Sequence, residues 1–280
     1  MIRIVTDNAS DITVEQARSL NIDRVSLVTS FDDIPCPMDT GDDYALFYEK
    51  LAASEKLPVT SRPTPESYLS IFEEARKNGD HVLVLTLSSG LSGTCESAHV
   101  AKNMCGYENI TIIDTQQAVM SQRILVERAV HLRDAGMPIG RIISEINDLK
   151  ERVHVIGIIG SLKCLKKGGR IPPALATIGD ALGIKPVITV KDGVIISAGK
   201  VRGMKAGANM AWKMLDAEDI DPEYPLVFGY TSDIGIVENF MRDTMPRYNV
   251  PDAKICQVCG IIGTHLGPDS MGVAYVAKKK

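Results

Sequence analysis

The sequence predicts an α/β fold in two parts: a parallel-sheet N-terminal α/β domain and a largely antiparallel α+β C-terminal domain. Strand and helix signals alternate through the first half, as they do in βαβ units. In the second half, two short apolar runs flank residues 191–193 (Lys-Asp-Gly), a hairpin-turn sequence that joins antiparallel strands. We therefore place the boundary near residue 150, with domains over 1–150 and 151–280.

Strand-like runs predict the strands of the first half, at residues 2–6, 24–28, 81–87 and 110–114. Those at 81–87 and 110–114 have the buried, β-branched pattern that is typical of parallel strands. Residues 29–41 contain two prolines and several aspartates, so this stretch is predicted to be a loop.

Helices are predicted from apolar residues at helical spacing and from capping residues. One helix has Thr64 as its N-cap and Pro65 at its first position. Other helices of the first half are predicted at residues 13–20, 43–53, 119–134 and 139–150, and one begins near Thr94. In the second half, strands are predicted at 153–159, 187–190, 194–197, 226–231, 254–259 and 272–276, with helices at 204–215 and 234–247.

Composition excludes several classes of protein. The chain has 280 residues, of which 45% are hydrophobic and 24% charged, as in folded globular proteins. A net charge of −4 argues against nucleic-acid binding, which needs a basic surface. No run reaches the ~18 apolar residues of a spanning helix. The chain opens on a strand pattern rather than a signal peptide, and its six cysteines fit reduced thiols, so we expect a cytoplasmic protein without stable membrane insertion.

A loop rich in serine and glycine is the strongest candidate site. Residues 88–94 (Ser-Ser-Gly-Leu-Ser-Gly-Thr) follow the strand at 81–87 and lead into a helix. Ligands of open α/β sheets bind at such carboxyl ends of strands, and a helix N-terminus there favours an anion. The loop contains no Lys or Arg, which suits one small anion such as a carboxylate. Turn formation and helix capping alone would also explain its hydroxyl residues.

Five segments resemble, in order, those of the DegV family of fatty-acid-binding proteins. They are residues 58–64 (Pro-Val-Thr-Ser-Arg-Pro-Thr), 89–94 (Ser-Gly-Leu-Ser-Gly-Thr), 165–171 (Leu-Lys-Lys-Gly-Gly-Arg-Ile), 201–206 (Val-Arg-Gly-Met-Lys-Ala) and 263–268 (Gly-Thr-His-Leu-Gly-Pro). Each segment alone is a weak signal. Together they extend the resemblance over essentially the whole chain.

The resemblance implies a DegV-type two-domain fold that binds a long-chain fatty acid and presents it to a separate kinase, which forms an acyl phosphate for phospholipid metabolism. It implies that the fatty-acid carboxylate is bound at Thr60, Ser61, Ser92 and Gly93, and that Arg170, Arg202 and His265 lie near the head group or face the kinase. The chain would then be a lipid-binding protein rather than an enzyme. No Gly-rich nucleotide loop of the Walker kind is present.

A serine hydrolase is the alternative. Residues 90–94 (Gly-Leu-Ser-Gly-Thr) nearly match a nucleophile elbow centred on Ser92, and Asp114 and His265 follow in the order of an α/β-hydrolase triad. Against it, Thr94 replaces the last glycine and several hydroxyls crowd the loop.

The remaining chemistry-bearing residues predict neither a metal site nor a cofactor. Cys256 and Cys259 form a CxxC in a strand-like run without a second pair, which favours core cysteines. Four departures from the family pattern bear on ligand preference: Arg62 stands where Gln is usual, Asn8 where Ser is common, Asp269 where Gly is usual, and residues 114–118 (Asp-Thr-Gln-Gln-Ala) lack the usual Asp-Ser and small-residue run. Acyl-chain length and unsaturation, the identity of a kinase and the oligomeric state are left open by the sequence.

Overall fold

The computed structural model of the chain describes residues 1–160, 162–170, 183–248, 250 and 252–279. Within them the strands are β1 (Ile2–Asp7), β2 (Asp23–Val25), β3 (Val28–Phe31), β4 (Ile34–Cys36), β5 (Val59–Ser61), β6 (His81–Thr86), β7 (Ile110–Asp114), β8 (Val153–Ile158), β9 (Ile184–Lys191), β10 (Val194–Arg202), β11 (Leu226–Tyr230), β12 (Ala253–Gln257) and β13 (Met271–Val276). The α-helices are α1 (Val14–Ser19), α2 (Gly41–Ala53), α3 (Pro65–Asn78), α4 (Thr94–Cys105), α5 (Val119–Asp134), α6 (Ile139–Lys150), α7 (Leu162–Lys167), α8 (Met204–Asp216), α9 (Ile234–Thr244) and α10 (Gly260–Leu266).

The first half forms a parallel sheet in the order β2-β1-β6-β7. Helices α3 and α4 cover one face, where the buried rings of Tyr68 and Phe72 pack with Val82 and Val84 of β6. This arrangement confirms the predicted parallel α/β part.

The second half forms a six-stranded sheet in the order β10-β9-β8-β13-β11-β12. Its neighbouring strands are antiparallel except for β11 and β12. Residues of α8 and α9 pack on this sheet in a core that contains Ala211, Phe228 and Phe240. The predicted antiparallel character is thus confirmed.

Helix α5 joins the two sheets. It packs on β1 and β6 of the first sheet and on β8, β11 and β13 of the second. The largest apolar core therefore runs through both halves, from Ile4 and Leu85 to Val155 and Ala274. The boundary near residue 150 follows the division between sheets and stays a prediction as a division between domains.

The predicted loop at residues 29–41 is wrong, because this stretch holds β3 and β4. The two strands form a hairpin that β5 extends to a three-stranded antiparallel sheet. Asp32 and Asp33 supply the turn with φ angles of 46° and 66°, values that aspartate tolerates. Pro35 is accommodated because β4 is an edge strand. Thr60 consequently lies on a strand, opposite Thr29.

Helix α10 was not predicted, although it carries His265. Gly260 and Gly263 give the segment a low helix propensity. They also allow close packing, since a Cβ at Gly260 would lie 2.6 Å from a ring carbon of Phe47. The segment is helical because of this tertiary packing and not because of its local sequence.

The loop after β6 packs against the turn between β9 and β10. The buried Ser88 hydroxyl donates a hydrogen bond to the carbonyl oxygen of Gly193 at 2.6 Å. Gly90 passes so close that a Cβ there would lie 2.5 Å from the same oxygen and 2.9 Å from Cγ1 of Val194. The two halves therefore meet at this loop.

We expect Gly90→Ala to lower the free energy of unfolding by about 1–3 kcal/mol, because the new methyl group must displace the hairpin backbone. Urea denaturation measures the change. Gly140→Ala is the matched control, since nothing lies within 4 Å of a Cβ at this helical position. The control substitution should leave the free energy of unfolding unchanged or raise it slightly. Equal effects of the two substitutions would contradict the close contact between Gly90 and the β9–β10 turn.

Candidate functional site

The buried carboxylate of Asp7 holds in place the carboxyl ends of β1 and β6, next to the candidate site. Asp7 accepts hydrogen bonds from the backbone N–H groups of Leu87 at 2.7 Å and Ala9 at 3.1 Å, and from the side-chain amide of Gln122 at 3.3 Å. Burial raises the pKa of Asp7 to about 6, and these hydrogen bonds oppose the rise. The ends of β1 and β6 are thereby held to α5.

The serine–glycine loop keeps its own backbone folded. Ser88 accepts hydrogen bonds at its carbonyl oxygen from the N–H groups of Leu91 and Ser92, at 3.0 and 3.1 Å. The Ser92 hydroxyl lies 2.9 Å from the hydroxyl of Thr94. Gly93 is the N-cap of α4 and offers no side-chain cap, so the helix begins with backbone donors free to face an anion.

A cavity of about 230 Å³ lies between this loop, β5 and the second sheet. Its walls are mostly apolar and buried, and they come from both halves of the chain: Leu87, Val119, Met120, Val155, Ile159, Ile188, Val190, Val258, Ile261 and Met271. The two buried polar side chains inside it bond to backbone groups: Thr231 Oγ1 accepts a 2.9 Å hydrogen bond from the N–H of Ser270, and the Ser270 hydroxyl donates to the carbonyl oxygen of Leu266 at 3.1 Å. The interior thus suits an apolar ligand.

Half-buried or exposed polar residues lie at the solvent-facing end of the cavity. We call this group the polar rim; its members are Thr60, Ser61, Arg62, Ser92, Arg170 and His265. An apolar cavity with a few polar groups at one end is the usual form of a small-molecule site. Its shape and polarity match an amphipathic ligand.

The structure brings six of the seven residues proposed from the sequence to this cavity. Thr60, Ser61, Ser92, Gly93, Arg170 and His265 line it. Arg202 does not line the cavity. It is exposed at the last position of β10, whereas Val194, at the first position of the same strand, lies beside the serine–glycine loop. Their roles in binding stay predictions. The sequence did not identify the apolar walls, because they come from distant segments that share no local pattern.

Thr60 and His265 are the central pair of the polar rim. The Thr60 hydroxyl lies 3.3 Å from Nε2 of His265, and either group can donate according to the histidine tautomer. Burial lowers the pKa of His265 to about 4, with a smaller contribution from Arg170. The imidazole is therefore neutral at pH 7. Its Nδ1 is buried and has no hydrogen-bond partner among the described residues.

Arg170 places a positive charge at the polar rim. Its Nε donates to the carbonyl oxygen of Leu91 at 3.4 Å, and its Nη1 donates to that of Gly168 at 2.6 Å. The side chain therefore reaches from the turn after α7 towards the serine–glycine loop. Ile171, the last residue of the same motif, lies outside the described residues.

Asp269 has a local explanation. Its φ is 55°, the left-handed region in which glycine is favoured and aspartate is tolerated. Its carboxylate accepts a hydrogen bond from the Ser232 hydroxyl at 3.1 Å, away from the polar rim. Aspartate at this position is thus compatible with a backbone conformation that favours glycine.

The hydrogen bonds do not form a Ser–His–Asp chain. His265 contacts Thr60, whereas Ser92 contacts Thr94. The Asp114 carboxylate accepts hydrogen bonds from Ser89 and from the N–H of Gln116. A triad built on Ser92 would need these side chains to change partners.

Of the two cysteines of the CxxC segment, Cys259 lies in the core and Cys256 is half-buried against it. Burial raises the pKa values of both Cys256 and Cys259, which keeps them as thiols. Within the residues that the structure describes, no group of three His, Cys, Asp or Glu side chains could hold a metal ion. No helix in the described part of the chain combines the length and apolar character needed to cross a membrane.

The fold and cavity define an α/β protein with two large sheets, one small three-stranded sheet and an internal, largely apolar cavity that has a polar rim. A family model described as "Uncharacterised protein, DegV family" matches residues 1–278. The chain belongs to the DegV family, as its motifs predicted.

Relatives match over the full length. A DegV domain-containing protein of Clostridium perfringens is 30% identical over 285 residues, covering 99% of this chain and 98% of the relative. The solved structure of a fatty-acid-binding DegV family protein from Thermus thermophilus is 28% identical, with a TM-score of 0.88 and 99% of each chain covered. That of a stearic acid-binding protein from Eubacterium ventriosum is 25% identical, with a TM-score of 0.85 and 99% of each chain covered.

We expect the ring of His265 to stay neutral in the native protein until the pH approaches 4. In the unfolded chain it takes up its proton near its ordinary pKa of 6.5. Between these values the unfolded state binds the extra proton, so this group destabilises the native state as the pH falls, by about 3 kcal/mol at most. An NMR titration of the ring protons measures the native pKa directly.

The His265→Gln variant assigns the resonance and serves as the thermodynamic control. Burial raises the pKa values of Asp7 and Asp11 to about 6 and about 7, so these groups favour the native state as the pH falls. Subtracting the unfolding free energies of the variant from those of the wild type cancels that opposite contribution. A native His265 pKa near 6.5 would contradict the buried, neutral imidazole.

Proposed function

We propose that the protein binds a long-chain fatty acid, with the acyl chain in the cavity and the carboxylate at the polar rim. One observation carries this proposal: a buried apolar cavity ends at the hydroxyls of Thr60 and Ser92 and at the N-terminus of α4, which has no side-chain cap. The fatty acid binding of the Thermus thermophilus relative and the stearic acid binding of the Eubacterium ventriosum relative support it.

The two ends of the ligand would contribute differently. Each methylene of the acyl chain that the cavity buries is worth ~0.8 kcal/mol before ordering costs. Hydroxyl and backbone donors satisfy the carboxylate and fix the direction of insertion. The cavity walls therefore supply affinity, and Thr60, Ser61, Ser92 and Gly93 supply orientation.

We also propose that the bound fatty acid is presented to a separate kinase for acyl phosphate formation. This part rests on the family resemblance together with the positions of three residues. His265 and Arg170 lie at the polar rim, where they can reach a carboxylate, and Arg202 is exposed outside the cavity, where it can contact another protein. Phosphoryl transfer would then need a nucleotide site on the partner.

The head-group assignment is tested by removing single hydroxyls. We expect Ser92→Ala and Thr60→Val each to weaken binding of hexadecanoic acid by about 1–3 kcal/mol, because a charged acceptor loses a donor. Ser89→Ala is the control within the same loop, since Ser89 bonds Asp114 and does not line the cavity. Titration of lipid-stripped protein measures the dissociation constants, and unchanged values for both variants would remove the carboxylate from this location.

Ligand length should determine thermal stability. A ligand that binds only the native state stabilises it by RT ln(1 + [L]/Kd), about 2.7 kcal/mol at a hundredfold excess over Kd. Stripping the lipid should lower the melting temperature, and a long-chain acid should restore it. Butanoic acid should do little, because it buries few methylenes. Melting curves indifferent to chain length would contradict the carrier function, and a covalent Ser92 adduct with a fluorophosphonate would favour a hydrolase.

Substitution of Arg202 tests whether this residue acts in fatty-acid binding or in presentation of the fatty acid to a kinase. We expect Arg202→Ala to retain fatty acid, measured by mass spectrometry after solvent extraction, because Arg202 does not line the cavity. With a cognate kinase, the same variant should form far less acyl phosphate. An empty variant would place Arg202 in ligand binding instead, and a fully active one would remove it from kinase contact.

A further inference from the structure

Arg62 belongs to the polar rim, and its guanidinium lies across the serine–glycine loop. The residue follows β5 directly, so the strand that positions Thr60 also positions Arg62. Its Nη1 donates to the carbonyl oxygen of Gly93 at 3.4 Å and to the carboxylate of Glu96. The arginine is thus adjacent to Ser61, Ser92 and the N-terminus of α4.

The absence of a side chain at Gly93 makes this placement possible. A Cβ at residue 93 would lie 2.8 Å from Cδ of Arg62. The Arg62 side chain therefore occupies the space that a side chain at residue 93 would need. The guanidinium is held beside the same helix N-terminus that can receive a carboxylate.

The ion pair between Arg62 and Glu96 is open to solvent. The exposed fractions of the two side chains are 51% and 70%. Exposed pairs of this kind contribute little to stability, about 0–1 kcal/mol, so the guanidinium can exchange partners at small cost. Glu96 also lies in the first turn of α4, where the helix dipole stabilises its charge without Arg62.

A ligand carboxylate at the polar rim would compete with Glu96 for the same cation. Arg62 and Arg170 are the arginines that line the cavity in the described part of the chain, and Arg170 already donates to two carbonyl oxygens. His265 is neutral at pH 7. Arg62 makes one long backbone hydrogen bond, to Gly93, and one exposed ion pair, so its bond to Glu96 can be redirected to the ligand at small cost.

We propose that Arg62 selects ligands with an anionic head group, and that Glu96 limits their affinity by competing for the Arg62 guanidinium. The inference rests on the proposed fatty-acid binding and deepens it. Hydroxyl donors at Thr60 and Ser92 can bind a neutral alcohol as well as a carboxylate. A guanidinium adds charge-assisted bonds that only the anion receives. The pair therefore sets how strongly the protein discriminates acid from alcohol.

A double-mutant cycle measured with two ligands tests the proposal. The variants are Arg62→Gln, Glu96→Gln and the double substitution, and the ligands are hexadecanoic acid and hexadecanol. We expect Arg62→Gln to bind the acid about tenfold more weakly, and Glu96→Gln to bind it about threefold more tightly. The double variant should bind the acid as weakly as Arg62→Gln does, because without Arg62 the Glu96 carboxylate has no guanidinium to compete for. Hexadecanol should bind all four proteins equally.

Two controls separate this effect from net charge and from folding. Glu15→Gln and Arg18→Gln change exposed charges of α1 by the same amounts and should leave both dissociation constants unchanged. Arg62→Lys retains the charge and should recover part of the lost affinity, and melting curves check that every variant is folded. The changes should shrink in 1 M salt, where exposed charges are screened.

The outcomes are distinct. Equal losses of acid and alcohol in Arg62→Gln would overturn the proposal, because Arg62 would then act by packing. A Glu96→Gln gain that persists without Arg62 would overturn the competition, because Glu96 would then repel the ligand directly. Unchanged acid affinity in Arg62→Gln overturns the Arg62 assignment while fatty-acid binding stands. A wild-type protein that binds neither ligand overturns both proposals.

Discussion

The contact between Ser88 and Gly193 is the constraint on which the cavity depends. The Ser88 hydroxyl is fully buried and meets the Gly193 carbonyl at 2.6 Å, so losing either partner would leave a buried polar group unsatisfied. The contact holds the loop of the parallel sheet over the hairpin of the antiparallel sheet. Ile188 and Ile195 of that hairpin thereby become walls of a cavity whose polar rim includes Thr60, Ser61, Arg62 and Ser92 of the other half of the chain.

The split origin of the cavity explains what the sequence could and could not predict. Alternation of strands and helices, the turn at 191–193 and the Thr64–Pro65 cap are local signals, and each predicted an element that the structure contains. The β3–β4 hairpin was missed because its turn uses two aspartates instead of a glycine. Helix α10 was missed because packing against Phe47 and Tyr48 overrides its glycines.

The residues of the candidate site also fall into a group that the sequence could predict and a group that it could not. Loop residues such as Ser92 could be proposed from motifs, since hydroxyls and glycines at a strand end have a recognisable pattern. The apolar walls could not, because a leucine that lines a cavity has the same sequence signature as a leucine in a core. Arg202 matched a family motif but lies outside the cavity. Sequence therefore located the polar chemistry, and only the fold shows which of those groups share one cavity.

The distribution of charge at the polar rim is consistent with reversible binding. A buried arginine beside a ligand carboxylate would require both ions to lose their hydration. This desolvation penalty offsets much of the Coulombic attraction between them. Here the donors nearest the interior are neutral: the Thr60 and Ser92 hydroxyls and an imidazole whose lowered pKa keeps it uncharged. The cations, Arg62 and Arg170, stand at the exposed edge, where they stay hydrated. Under the proposed function, such an arrangement would orient a fatty-acid carboxylate while leaving it accessible from solvent, as a carrier that must release or present its ligand requires.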